Sequence, residues 1–350
     1  MASGRGPPYI ERDPAGAGLR ARRERDERGA EMFEGFKVGL ALGGGAARGL
    51  AHIGVLKVLE ENQIPIDLIV GTSVGALVGG VYATTRSVVA TEKRFRDFIF
   101  SKEFKRSRFD FLKESRQARP GLLYNFVSLV KKGIFYSFSM ATTSWISAEH
   151  FEHNINSILD DVRIEDTSIP FAAVATDINR GEEVVLREGS LRAAVSASSA
   201  VPGLLPPVPI DGRLLIDGGW MCKVPVLPAL RLGASVVIGV DVSKEIEDTT
   251  GFRSGLNIMV RANALKSDAL KTMQCRFADV LIEPDVDHVH WADFSAIVEC
   301  INHGEEAARR KLGEMRRQIK MARFSSLLGY SRSRRLARAY MDEEDKGKAR

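Results

Sequence analysis

The chain has 350 residues, 44% of them hydrophobic and 27% charged, with a formal net charge of +5. That length supports one large domain or two small ones, and three scattered cysteines (Cys222, Cys275, Cys300) exclude a disulfide framework and fit reduced thiols in a cytoplasmic protein. No apolar run reaches the roughly 20 residues of a membrane-spanning helix; the longest, Leu68 to Ala83, is interrupted by glycines, Thr72 and Ser73.

Residues 1–35 carry seven arginines and seven acidic residues and lack the apolar stretch of a signal peptide, which predicts a disordered or loosely helical charged tail. Lys37 to Leu42 reads as a buried strand that runs into the glycine-rich segment Gly43 to Gly49. Leu50, Ile53, Val55, Leu56 and Leu59 then recur at helical spacing, and Pro65 and Asp67 open a second strand ending at Val70. Gly71-Thr72-Ser73-Val74-Gly75 leads into a small-residue helix over Ala76 to Ala83. This strand, helix, strand, helix order predicts parallel strands joined by right-handed crossovers.

Residues 86–139 break the pattern. Nine phenylalanines interleave with lysines and arginines, as expected of a helical insertion that forms either a lid or the buried core of a subdomain. Further strands are predicted at Phe171 to Thr176, Glu183 to Arg187, Leu214 to Ile216, Val236 to Val240 and Val280 to Ile282, with helices over Gly255 to Cys275 and Phe294 to Arg323. The expected organisation is a core over 36–243, a strand and helices packing on it over 244–323, and a basic tail over 324–350. Arg309 to Arg350 alone nets +9, which leaves −4 for the rest of the chain. Such a tail suits an anionic surface, or is simply a solvated helix and loose end.

Three segments carry the chemistry. A Gly-x-Ser-x-Gly turn between a strand and a helix presents a nucleophilic serine, here Ser73 between Gly71 and Gly75. The Gly43, Gly44, Gly45, Ala46 loop, with Arg48 and Gly49, exposes backbone N–H groups for an oxyanion. It fits neither a dinucleotide fingerprint, since Arg48 stands where the third glycine belongs, nor a P-loop, which needs Gly-Lys-Ser/Thr. Asp217, followed by Gly218 and Gly219, closes a short apolar strand at the end where α/β sheets place their sites. His288, His290 and His303 remain candidate bases for a Ser-Asp-His arrangement, and His52 reads as a packing residue at a helix start. No His or Cys cluster has metal-ligand spacing in sequence.

The ordered set Gly43-x-Gly45-x-x-Arg48-Gly49, Gly71-x-Ser73-x-Gly75 and Asp217-Gly218-Gly219 resembles the patatin-like phospholipases. Ala197 to Gly203, Pro206-Pro207-Val208 and Val224-Pro225 extend the likeness over roughly 36–243. Leu205 and Lys223 depart from it, standing where an aromatic and an asparagine are usual. The resemblance implies a three-layer α/β/α fold with a mostly parallel central sheet. It also implies a Ser73–Asp217 dyad, an oxyanion site on the Gly43 to Ala46 loop steadied by Arg48, and cleavage of phospholipid or lysophospholipid esters through an acyl-enzyme. No cofactor, metal or nucleic acid is expected; peripheral contact with an anionic membrane is. Two alternatives stay open: an inactive member that binds lipid or a partner, and a Ser-Asp-His esterase.

Overall fold

In a computed structural model the described residues are 35–102, 104, 144–244, 246, 251–252 and 254–327. The charged N-terminal segment, most of the aromatic insertion and the basic tail beyond residue 327 fall outside them.

Eight strands form one sheet. They are β1 (Val38–Leu42), β2 (Leu68–Thr72), β3 (Phe171–Asp177), β4 (Glu182–Leu186), β5 (Val208–Ile210), β6 (Arg213–Asp217), β7 (Val236–Val240) and β8 (Val280–Ile282). β1, β2, β3 and β7 are buried along their whole length, which is why they read as near-continuous apolar runs. β1 pairs in parallel with β2 and β7, β2 with β3, and β7 with β8.

The other end of the sheet is antiparallel: β4 and β6 both pair with β3, and β5 pairs with β6. The antiparallel end is legible only from tertiary pairing, because parallel and antiparallel strands of three to five residues look alike in sequence.

β3 has an unusual neighbourhood. Ala173 pairs with Leu186 of β4 and with Gly71 of β2, while Ala175 pairs with Val184 of β4 and with Asp217 of β6. A residue has one neighbour on each edge, so β2 and β6 lie end to end along the same edge of β3. β2 stops at Thr72, opposite Val174, and β6, running the other way, stops at Asp217, opposite Ala175. The C-terminal ends of the two strands therefore meet head to head.

Among the described residues eight helices accompany the sheet: α1 (Ala51–Glu61), α2 (Val74–Thr85), α3 (Val88–Ile99), α4 (Ala148–Ile158), α5 (Leu191–Ser199), α6 (Val226–Arg231), α7 (Gly255–Cys275) and α8 (Ile297–Leu327). Ser87, Ser147, Ser190 and Ser254 cap α3, α4, α5 and α7, each accepting a backbone N–H in the first turn.

α6 packs one apolar cluster under the sheet, with Val226, Leu227, Ala229 and Leu230 against Ala41, Val70, Ala172 and Val237. α1 crosses α8 at two glycines. A Cβ on Gly54 would stand 1.9 Å from the Ile301 carbonyl oxygen, and one on Gly304 2.0 Å from that of Ala51. Lys57–Glu305 at 2.6 Å and Arg309–Glu61 at 2.9 Å flank the crossing. In the described part of the aromatic region, Phe95 and Phe104 are buried and Phe100 is exposed; Phe104 stacks edge-on against Phe98 and Phe294. Among the described residues no helix is long and apolar enough to cross a membrane.

Candidate active site

Ser73 occupies the junction between β2 and α2 at φ 55° and ψ −126°, a region in which non-glycine residues are strained by about 1–3 kcal/mol. The flanking glycines permit the turn by close approach. A Cβ on Gly71 would lie 2.3 Å from Ala76 Cα, and one on Gly75 2.2 Å from the Leu42 carbonyl oxygen. The turn is therefore wedged against the end of β1, where the glycine loop starts.

Two residues without a distinctive sequence signal hold this turn. The Ser198 hydroxyl on α5 accepts the Ser73 N–H at 2.9 Å and donates to the Val174 carbonyl at 2.6 Å. The Thr72 hydroxyl donates to the Cys222 carbonyl at 3.0 Å. Ser198 lies inside a stretch already noted as Ala197 to Gly203, but only the fold shows that it bridges β3 to the elbow.

The strand arrangement delivers Asp217 to Ser73. Both are buried, and the Ser73 side chain lies close enough to the Asp217 carboxyl to pull its pKa down. Gly218 follows so tightly that a Cβ would lie 2.2 Å from the Val174 carbonyl oxygen, and the Gly219 N–H donates to Asp217 Oδ1 at 2.7 Å. Burial raises the Asp217 pKa to about 6, against the opposing pull of the Ser73 side chain, the Gly219 hydrogen bond and the Lys223 charge. A carboxyl poised there is ionised at neutral pH yet basic enough to take a proton.

The glycine loop lies alongside: a Cβ on Gly44 would be 3.3 Å from Ser73 Cβ. Its four expected donors are not equivalent. The Gly43 N–H is bound to the Val240 carbonyl at 3.0 Å and the Gly44 N–H to that of Lys223 at 2.9 Å. Gly45 and Ala46 are half-buried and their N–H groups donate no hydrogen bond among the described residues. Ala46, at φ 50°, is itself in the left-handed region. The Lys223 contact is made by its backbone, so the departure from asparagine leaves the anchor intact.

The Arg48 N–H donates to the Gly45 carbonyl at 3.2 Å, while its side chain reaches away from the loop. Its Nε donates to the Val289 carbonyl at 2.9 Å, and the Ala47 N–H donates to that of Trp291 at 2.9 Å, so the loop is moored to the segment after β8. Burial lowers the Arg48 pKa, and Asp287 opposes that shift. Gly49 gives the Val74 side chain room, since a Cβ there would meet Val74 Cγ1 at 2.7 Å. His52 is fully buried; its Nε2 lies 2.8 Å from the Gly43 carbonyl oxygen, and burial lowers its pKa to about 4. It therefore stays neutral and pins the loop from behind.

The other histidines are engaged elsewhere. His288 pairs with Glu299 at 2.7 Å, His303 stacks on His288, and His290 Nδ1 accepts the Ala292 N–H. The groups that act on Asp217 are Ser73, Gly219 and Lys223.

The family model described as patatin-like phospholipase matches residues 40–230. Patatin-like phospholipase domain-containing protein 6 of Homo sapiens is 36% identical over 220 residues, covering 62% of this chain and 14% of that protein. Lysophospholipase NTE1 of Eremothecium gossypii is 33% identical over 221 residues, 63% of this chain and 13% of its own length. The chain thus spans about a seventh of the length of these curated relatives. Among solved structures, VipD from Legionella pneumophila aligns at a TM-score of 0.42 and 14% identity, covering 81% of this chain and 67% of that one. With a family model covering more than half of its length, this chain belongs to the patatin-like phospholipase family.

Proposed function

We propose that the protein is a serine acyl hydrolase that cleaves carboxyl esters of phospholipids or lysophospholipids through a Ser73–Asp217 dyad. The observation that carries the reading is the juxtaposition of Ser73, strained at the tip of β2, with a buried carboxyl whose pKa is raised to about 6. The substrate class follows from family membership and from lysophospholipase NTE1 among the relatives.

In this mechanism Ser73 Oγ attacks the ester carbonyl carbon while Asp217 takes the hydroxyl proton. The carbonyl oxygen becomes an oxyanion facing the N–H groups of Gly45 and Ala46, since those of Gly43 and Gly44 already serve the loop itself. The oxyanion collapses, the C–O bond to the alcohol breaks, and Asp217 returns its proton to the leaving oxygen. Water then attacks the acyl-serine, Asp217 again taking the proton, and a fatty acid leaves with Ser73 restored.

Contact with an anionic lipid surface belongs to the same reading. Among the described side chains of α7, Gln274 is the buried one, while Ile258, Met259, Leu265 and Met273 are exposed. α7 is tied to the aspartate turn through Gln274 Nε2, which donates to the Met221 carbonyl, and Trp220 in that turn is 43% exposed.

The test is hydrolysis of lysophosphatidylcholine and phosphatidylcholine, with labelling by a fluorophosphonate. Ser73→Ala should lose both hydrolysis and labelling, and Asp217→Asn should lose hydrolysis by a factor of about 10³ or more, with unchanged circular dichroism. Full hydrolysis by Asp217→Asn would overturn the dyad. An unlabelled Ser73 in the wild-type protein would favour an inactive, lipid- or partner-binding member instead.

A further inference from the structure

The loop that moors the glycine segment carries a second cluster of donor groups. His288 lies between β8 and α8, and Glu299 and His303 lie on α8 four residues apart, hence on one helix face. One ligand atom from each of the three falls within 4.8 Å of the others. The rings of His288 and His303 stand 5.2 Å apart at 64°, and His288 Nε2 is 2.7 Å from Glu299 Oε1. The His288 and Glu299 side chains are 39% and 45% exposed, so an ion can reach them and the side chains can adjust.

We propose that His288, Glu299 and His303 form a binding site for a borderline transition-metal ion of the Zn²⁺ type. Two imidazoles and one carboxylate are a donor set that zinc accepts in tetrahedral geometry, with a fourth position left to water. Zn–N and Zn–O bonds near 2.0 Å put tetrahedral ligands about 3.3 Å apart, so the His288–Glu299 contact opens only slightly to admit the ion. Imidazole ligands select against Mg²⁺ and Ca²⁺, which require mainly oxygen. Sequence spacing conceals the site, because the ring from the loop reaches the helix pair only through the fold.

The consequence is local and mechanical. The ion joins the loop after β8 to α8, and the same loop offers its Val289 and Trp291 carbonyls to Arg48 and Ala47. Bound metal therefore clamps the support of the glycine segment without touching Ser73 or Asp217.

The experiment uses the untagged full chain, stripped with a chelator and titrated calorimetrically with ZnCl₂, with Co²⁺ absorption as a geometric readout and thermal melting alongside. The expected result is one equivalent of Zn²⁺, a tetrahedral Co²⁺ spectrum, and a melting midpoint that climbs with zinc concentration but not with Mg²⁺ or Ca²⁺. Glu299→Gln and the double variant His288→Ala/His303→Ala should each weaken binding at least about tenfold. The near-isosteric Glu299→Gln keeps the test valid should the double variant fold poorly. His150→Ala/His153→Ala, which removes the exposed pair on α4, should leave zinc binding unchanged. Wild-type protein that binds no zinc, undiminished affinity in Glu299→Gln, or loss in the His150/His153 variant overturns the proposal. Lipid hydrolysis enters none of these readouts, so the dyad and the metal site stand or fall separately.

Discussion

Asp217 holds its proton more tightly in the folded protein than in the unfolded chain, since burial raises its pKa from an ordinary 3.8 to about 6. In the proposed dyad only the ionised form accepts the Ser73 proton, so hydrolysis should fall as pH drops through about 6 and level off above about 7. Lys223 lowers this pKa through its charge, and Lys223→Met should move the inflection of the kcat/KM profile to higher pH. The stability linkage has the opposite sense. Between about pH 4 and 6 the native state binds more protons than the unfolded state, so stability declines as pH rises and the whole cost is present above 6. Asp217→Asn should therefore be inactive yet more stable than wild type at pH 7 to 8, by up to about 3 kcal/mol, with the gain disappearing below pH 4. Urea unfolding at pH 3.5 and 7.5 measures it; equal differences at the two pH values would contradict a buried, raised carboxyl. The Ser73 elbow was legible in sequence because its signal is local, two glycines flanking a serine between a strand and a helix; Asp217 was visible at a strand end, but an Asp-Gly-Gly turn is ordinary by itself and its proposed role came from the resemblance. Ser198 was not legible, because a serine in an Ala-Ser helix becomes informative only when Val174 and Ser73 are brought to either side of its hydroxyl.

At the scale of elements, every strand but β5 was legible in the sequence, whereas the pairing directions at the antiparallel end were not. β5 has three residues with Pro209 at its centre, and nothing in its composition shows that β6 runs antiparallel against β3. That reversal is what sets Asp217 head to head with Thr72. The contact of α1 with α8 was equally hidden, because Gly54 and Gly304 lie about 250 residues apart and each reads alone as a weak point in a helix. Their role is to let two backbones touch. Gly54→Ala should cost about 3 kcal/mol or more, because its Cβ would press on the Ile301 carbonyl and part the helices. Gly313, farther along α8, has nothing within 4 Å of a built Cβ. Gly313→Ala should instead stabilise by about 0.5–1 kcal/mol through helix propensity. Chemical denaturation of the two variants separates packing from propensity, and equal effects would remove the argument for a close crossing. α1 begins just after the glycine loop and carries His52, so Gly54→Ala should also lower kcat.

For the whole molecule, the proposed lipid hydrolysis makes charge and apolar exposure the features that would bring a lipid surface to Ser73. The last 42 residues net +9 and the preceding 308 net −4, so the chain is electrically polarised along its sequence. α7 adds exposed apolar side chains, with Met259 and Met273 70% and 62% accessible and linked through Gln274 to the aspartate turn. A basic segment is drawn to anionic lipid by about 1 kcal/mol per residue near the surface, an attraction that salt screens over a Debye length of about 10 Å at 0.1 M. Apolar insertion is not screened in this way. Raising ionic strength from 0.05 to 0.5 M should therefore reduce turnover of lysophospholipid in phosphatidylserine-containing vesicles severalfold, with little change on neutral vesicles or on a water-soluble ester. Met259→Glu/Met273→Glu should lower turnover on both vesicle types and spare the soluble ester, because the substitutions leave Ser73, Asp217 and the glycine loop untouched. If salt depresses hydrolysis of the soluble ester to the same extent, the effect lies in the site itself and not in surface capture. If the methionine variant is unchanged on vesicles, α7 does not meet the membrane and its apolar face needs another explanation.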